Sequence, residues 1–196
     1  MTRKGHVKMS EHSTIITAGQ SFAGFVTIRK QEHQGMITLR GDLSSEIISK
    51  AISEHTGCTL PAQRRVERSD TRAVAWMSPD ELLIFCPYAE AADLEERLAR
   101  ALAGEFATIV NVSDARAVFD IIGPAWRDAL AKLCPVDFGA ISAGEIRRTR
   151  AAQVAAAIWV AEAEQVRLVC FRSVSEYVFD LLCTAAAQGS EPALYA

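Results

Sequence analysis

The strongest constraint on what this chain can become is that its landmarks recur. Gly41 and Gly123 each close a strand-like run just before a helical one. Arg64-Arg65 and Arg147-Arg148 each precede a hairpin-like segment, and Trp76 and Trp159 each sit near the end of its first strand. The apolar runs Glu81–Cys86 and Gln165–Phe171 follow in register, so one offset of about 83 residues relates these pairs. The elements come in the order strand, helix, basic extended piece, hairpin, helix, which is a β-α-β-β-α unit used twice. Two such units predict an α+β fold, a duplicated, pseudo-twofold single domain with helices packed against mixed sheet. The expected boundaries are a flexible tail over 1–14, one domain over 15–188 with halves of about 30–104 and 105–188, and a second tail over 189–196. At 196 residues a single domain buries about 70% of its unfolded surface, so the core needs no staples.

Local patterns assign the elements. Residues 35–41 alternate as a strand, with Met36, Thr38 and Arg40 on one side and Ile37 and Leu39 on the other. Asp42 or Ser44 is expected to cap the next helix, whose buried stripe is Ile47, Ile48, Ala51 and Ile52 and whose stop is Gly57. Residues 73–77 and the apolar run 81–86 read as strands around a Ser78-Pro79-Asp80 turn. Residues 90–103 read as a helix with Leu94, Leu98, Ala101 and Leu102 on one face, and 106–112 as a strand. Ile15–Ile28 is weakly strand-like. Near the C-terminus, 154–160 and 165–171 make a hairpin, and Ser173 or Ser175 caps a last helix with Tyr177, Val178, Leu181, Leu182 and Ala185 inside.

The second half opens on Asn111–Phe138. Strand 117–122 is broken by Gly123-Pro124, where proline suits the first turn of a helix because its missing N–H has no partner there. The helix carries Trp126, Ala129, Leu130 and Leu133 on one face and Arg127, Asp128 and Lys132 on the other, and Cys134-Pro135 ends it. Ser113-Asp114-Ala115-Arg116, Gly123-Pro124-Ala125, Leu130-Ala131-Lys132 and Cys134-Pro135-Val136-Asp137 resemble the gamma subunit of heterotetrameric sarcosine oxidase. More distantly they resemble the folate-binding domain of the glycine-cleavage T-protein. The resemblance runs on through Arg148-Thr149, Val154–Val160, Phe171-Arg172-Ser173 and Leu181-Leu182, covering the second half of the chain better than the first.

That resemblance implies a T-protein-like folate-binding scaffold and a place beside alpha, beta and delta subunits. Their complex would demethylate sarcosine oxidatively to glycine, form hydrogen peroxide and pass the methyl carbon to tetrahydrofolate. FAD, FMN, NAD, zinc and tetrahydrofolate are then expected on the other subunits and none on this chain. T-proteins carry a Gly-Gly followed by Asp-Asp facing the pterin. Here Arg150–Ile158 has Ala, Gln and Val, and Asn111 stands where those relatives have Asp. The implied role is therefore non-catalytic, in assembly and structure, with no catalytic, cofactor-binding or metal residue assigned. The alternatives are a stand-alone folate-binding aminomethyltransferase-like protein and a folate-sensing or iron–sulfur-assembly relative with a reactive cysteine.

The remaining residues support no other chemistry. His6, His12, His33 and His55 form no metal array, and His55 suits a helix C-terminus. The odd set Cys58, Cys86, Cys134, Cys170 and Cys183 contains no C-x-x-C, and Cys86 and Cys170 read as small buried hydrophobes. Ser113-Asp114 reads as a turn, and Glu162, Glu164 and Asp80-Glu81 as solvated charge. Arg64-Arg65-Arg68 and Arg147-Arg148-Arg150 read as protected sheet edges or an acidic partner's surface, ahead of a polyglutamyl folate tail. A net charge of −3 argues against nucleic acid, and no apolar run reaches the roughly 20 residues a bilayer demands. Met1–Met9 lacks the apolar core of a secretory signal, translation starting at Met1 or Met9, so a cytoplasmic location is expected.

Overall fold

The structure is a computed structural model that describes residues 19–195. The expected 1–14 tail, His6, His12 and the start of the 15–28 strand reading lie outside those residues. The elements are β1 (Ser21–Ala23), β2 (Thr27–Lys30), β3 (Gln34–Arg40), α1 (Glu46–Thr56), β4 (Val66–Arg68), β5 (Ala73–Ser78) and β6 (Glu81–Pro87). Then follow α2 (Ala91–Ala101), β7 (Thr108–Asn111), β8 (Arg116–Ile122), α3 (Trp126–Ala131), β9 (Ile146–Ala151), β10 (Val154–Glu162), β11 (Gln165–Phe171) and α4 (Ser175–Ala185).

They form two sheets, ordered β4-β5-β6-β3-β7 and β1-β2-β8-β11-β10-β9. Every pairing between named strands is antiparallel, so the expected mixed sheet is wrong. The reason is the route of the chain. Hairpins join β4, β5 and β6, and likewise β9, β10 and β11. The helix after β3 or β8 carries the chain to the far edge of the sheet and never to a parallel neighbour.

Alternation within the strands divides the core into three layers. Ile37, Leu39, Val74, Leu82 and Ile84 point outward onto Ile48 and Ile52 of α1 and Leu94 and Leu98 of α2. Phe119, Ile121, Ile158 and Leu168 do the same against Trp126, Leu130, Val178 and Leu182 of α3 and α4. Between the sheets, Met36, Ala75, Leu83 and Phe85 meet Val118, Ala157, Trp159 and Val169. The order is helix, sheet, sheet, helix, which is why strands such as β6 are apolar on both faces.

The two halves meet along a reciprocal seam. Val66 N donates to Gly144 O and Ile146 N to Arg64 O, while Arg65 bridges Glu145. Trp76 N donates to Arg65 O as Val160 N does to Glu145 O. Arg64 and Gly144 both hold left-handed backbone, with φ of 62° and 75°. The counterparts of Arg64-Arg65 at this seam are thus Gly144-Glu145, not Arg147-Arg148.

Several local expectations are corrected. Ser45, not Asp42 or Ser44, caps α1 by accepting from Ile48 N, while Gly57 closes it in left-handed conformation as expected. Ile47 is 52% exposed, at the solvent edge of the stripe that Ile48, Ala51 and Ile52 turn toward the sheet. Neither Ser173 nor Ser175 caps α4; a 3-10 turn over Arg172–Val174 feeds it directly, and Tyr177 faces outward. Asp128 is buried and accepts from Leu194 N at 2.9 Å, because residues 189–195 fold back over α3. Lys132 holds the same segment through Ser190 O at 2.5 Å.

The tightest approach that requires glycine is at Gly24. Gly24 turns β1 into β2, Phe25 N donates to Ala186 O at 3.0 Å, and a Cβ at position 24 would overlap that carbonyl oxygen. Gly24→Ala is expected to push the hairpin off the end of α4 and to cost about 2 kcal/mol. Thermal unfolding should show this as a fall in Tm of roughly 4–8 °C; an unchanged Tm would mean the hairpin does not dock there.

Candidate functional site

Because strands of the two halves face each other, charged side chains at the strand ends converge on two clefts at opposite ends of the sheet–sheet interface. The first lies where β6 begins and β11 ends. Its floor is apolar, including Leu83, Ala157 and Val169, its volume is about 190 Å³, and Arg40, Glu81, Arg116 and Arg148 surround it. The second lies where β6 ends and β11 begins, also about 190 Å³, and takes in Arg68, Arg72, Phe85, Trp159 and Arg167.

In the first cleft Glu81 is the pivot. Expected to be solvated, it is 6% exposed, because the first residue of β6 is drawn into the layer that Leu83 and Phe85 continue. Its Oε2 accepts from Arg40 Nη2 at 2.9 Å and from Arg148 Nη1 at 3.3 Å, so one carboxylate ties β3 of the first half to β9 of the second. Arg116 lies over the Phe171 ring at 4.2 Å, and its buried Nε has no hydrogen-bond partner. Burial lowers the pKa of Arg116; the Glu81 carboxylate opposes that and the charge of Arg148 adds to it.

The second cleft is charge-balanced. Arg68 Nη1 donates to Glu162 at 2.8 Å, Arg72 Nη2 to Glu90 at 2.7 Å and Arg167 Nε to Asp120 at 3.2 Å. Arg68 and Arg167 also approach the Trp159 ring, at 5.7 and 5.1 Å. Glu162 is therefore a cross-half ion-pair partner, whereas Glu164 is exposed in the turn.

The two basic clusters sit on β4 and β9 or just before β4, and both are edge strands, as the sheet-edge reading expects. They do not gather into one patch: Arg68 and Arg148 reach to opposite ends of the interface. In the sequence Arg40 and Arg116 carry no site role: Arg40 enters only through the alternation of its strand and Arg116 only as the last residue of a resemblance motif. The one usable signal was a charged residue, Glu81, heading an otherwise apolar strand.

The other candidates have structural work. Ser113 is buried; its Oγ accepts from Met36 N at 2.9 Å and donates to Asn111 Oδ1 at 2.6 Å. Asp114 accepts from Tyr88 Oη at 3.0 Å. His55 lies in the last turn of α1, and Cys58 N is held by Thr56 Oγ1 at 3.1 Å. All five cysteines are free thiols. Burial pushes Cys134 up to about 12 and Cys86 and Cys170 to about 11, which suppresses the thiolate at neutral pH. Among the described residues no three His, Cys, Asp or Glu side chains gather as metal ligands, and no helix is long and apolar enough to cross a membrane.

Comparison with known proteins gives this arrangement a context. The sarcosine oxidase subunit gamma of Corynebacterium sp. (strain P-1) is 33% identical over 130 residues, which is 65% of this chain and 63% of that protein. The chain thus aligns with under two thirds of the length of that curated relative. A solved heterotetrameric sarcosine oxidase from Corynebacterium sp. U-96, in complex with pyrrole 2-carboxylate, contains a chain that superposes with a TM-score of 0.76 at 27% identity, over 85% of this chain and 87% of that one. The glycine cleavage system aminomethyltransferase T of Bartonella henselae shares the fold, with a TM-score of 0.60 at 9% identity over 81% of this chain and 46% of that one. Residues 40–188 match the family model described as sarcosine oxidase, gamma subunit family, and the chain belongs to that family.

Proposed function

We propose that this chain is the gamma subunit of a heterotetrameric sarcosine oxidase and acts in assembly and structure, not in catalysis. The observation that carries the reading is the family match over 40–188 together with the superposition on a chain of the U-96 oxidase. Alpha, beta and delta subunits are its partners in a cytoplasmic complex that converts sarcosine to glycine, forms hydrogen peroxide and passes the methyl carbon to tetrahydrofolate. The FAD, FMN, NAD, zinc and tetrahydrofolate of that complex are carried by the other subunits. In support, the β9–β10 hairpin offers Ala152 and Gln153 at its turn, and the Asn111 side chain is spent on Ser113. These features weigh against the stand-alone aminomethyltransferase.

We further infer that the halves, about 30–104 and 105–188, descend from one β-α-β-β-α unit. Supporting this are the shared order β4-β5-β6-β3 and β9-β10-β11-β8 and the reciprocal hydrogen bonds around Arg65 and Glu145.

Co-expression with and without this chain tests the function. The expected result is that the other three subunits fail to form a stable, fully active oxidase when it is omitted. Equal yield and equal turnover without it would end the assembly role.

A further inference from the structure

The first inter-sheet cleft is over-supplied with hydrogen-bond donors for the acceptors that reach it. Arg40, Arg116 and Arg148 converge there, and the buried acid among them, Glu81, spends Oε2 on both Arg40 and Arg148. Asp80 contributes only an exposed carboxylate 4.0 Å from Arg40. Arg116 is the residue left over. Stacking on Phe171 fixes its plane, and its buried Nε–H finds no acceptor. A buried, unpaired donor on a charged group is costly, and an incoming acceptor offsets that cost. Guanidinium groups match a carboxylate in shape and charge.

The floor narrows the ligand. Leu83, Ala157 and Val169 are buried and apolar, so the cleft offers a cationic rim over a hydrocarbon surface. Inorganic anions gain nothing from such a floor, and a dianion would set its second charge against Glu81. We propose that this cleft binds a small organic monocarboxylate, its carboxylate on Arg116 and the rim arginines and its apolar body on Leu83, Ala157 and Val169. The proposal is independent of the assembly role, since it concerns a site contained within this chain.

Butyrate is the probe, titrated into the full-length chain and followed by ¹⁵N chemical shifts. The expected result is saturable movement centred on the amides of Ala157 and Val169, with no effect of butyramide and no competition from inorganic phosphate. Arg116→Gln should weaken butyrate by about tenfold or more, as the loss of a charged donor implies. If that variant misfolds by circular dichroism, the exposed Arg148→Gln should show the same direction. Absence of saturation, equal binding of butyramide, full competition by phosphate, or unchanged affinity in a folded variant would each overturn the site.

Discussion

Trp159→Ala is expected to destabilise the protein by about 3–5 kcal/mol, the largest loss anticipated from one side chain in the layer between the sheets. Trp159 is 1% exposed, its ring lies 5.4 Å from that of Phe85 on the facing sheet, and Arg68 and Arg167 approach it from either half. Truncation would open a cavity where two rigid sheets cannot close, so both the transfer and cavity costs are retained. The indole Nε1–H is buried without a partner. Trp159→Phe, which keeps most of the ring and removes that orphaned donor, should therefore stay within about 1 kcal/mol of the parent. Urea denaturation followed by circular dichroism measures both. A loss below roughly 1.5 kcal/mol for Trp159→Ala would mean that the sheets do not depend on this contact for their packing.

What could be read from the residues, and what could not, divides along the same physical line. The run Glu81–Cys86 announces a strand buried on two faces, and it lies between helices α1 and α2 on one side and the second sheet on the other. Ile48, Ala51 and Ile52 are inside as their spacing requires, and Gly57 stops α1 because only a left-handed residue closes it there. Spacing reports which face a residue occupies and is silent on what waits opposite. Glu81 meets an arginine 67 positions away, and Arg68 meets Glu162 across 94. Local pattern therefore marked these residues as ordinary surface charge. The same blindness explains Asp128, whose cover comes from the far C-terminal segment. Mixed pairing was expected from the helices between strands, but the hairpins dictate direction in both sheets.

A second large effect follows from a residue no pattern singled out. Asp120 sits mid-strand in β8, whose other charged residue is the leading Arg116, and is 1% exposed. Its Oδ1 accepts from Arg167 Nε at 3.2 Å, directly across the β8–β11 ladder, and its Oδ2 accepts from Gln31 Nε2. Arg167 keeps about a quarter of its side chain in solvent, so part of its charge stays hydrated when the partner is lost. Asp120→Ala should accordingly cost about 3 kcal/mol, at the low end for breaking a buried pair. Removing both charges should cost far less, because neither partner is then left unpaired. The double variant Asp120→Leu with Arg167→Leu is expected within about 1–2 kcal/mol of the parent. Denaturant titration of Asp120→Leu, Arg167→Leu and their double closes the cycle. Strictly additive losses would show that the carboxylate and guanidinium are not coupled. A strongly non-additive cycle would identify the Asp120–Arg167 rung, which supports one side of the Trp159 ring, as a polar brace within an otherwise apolar interface.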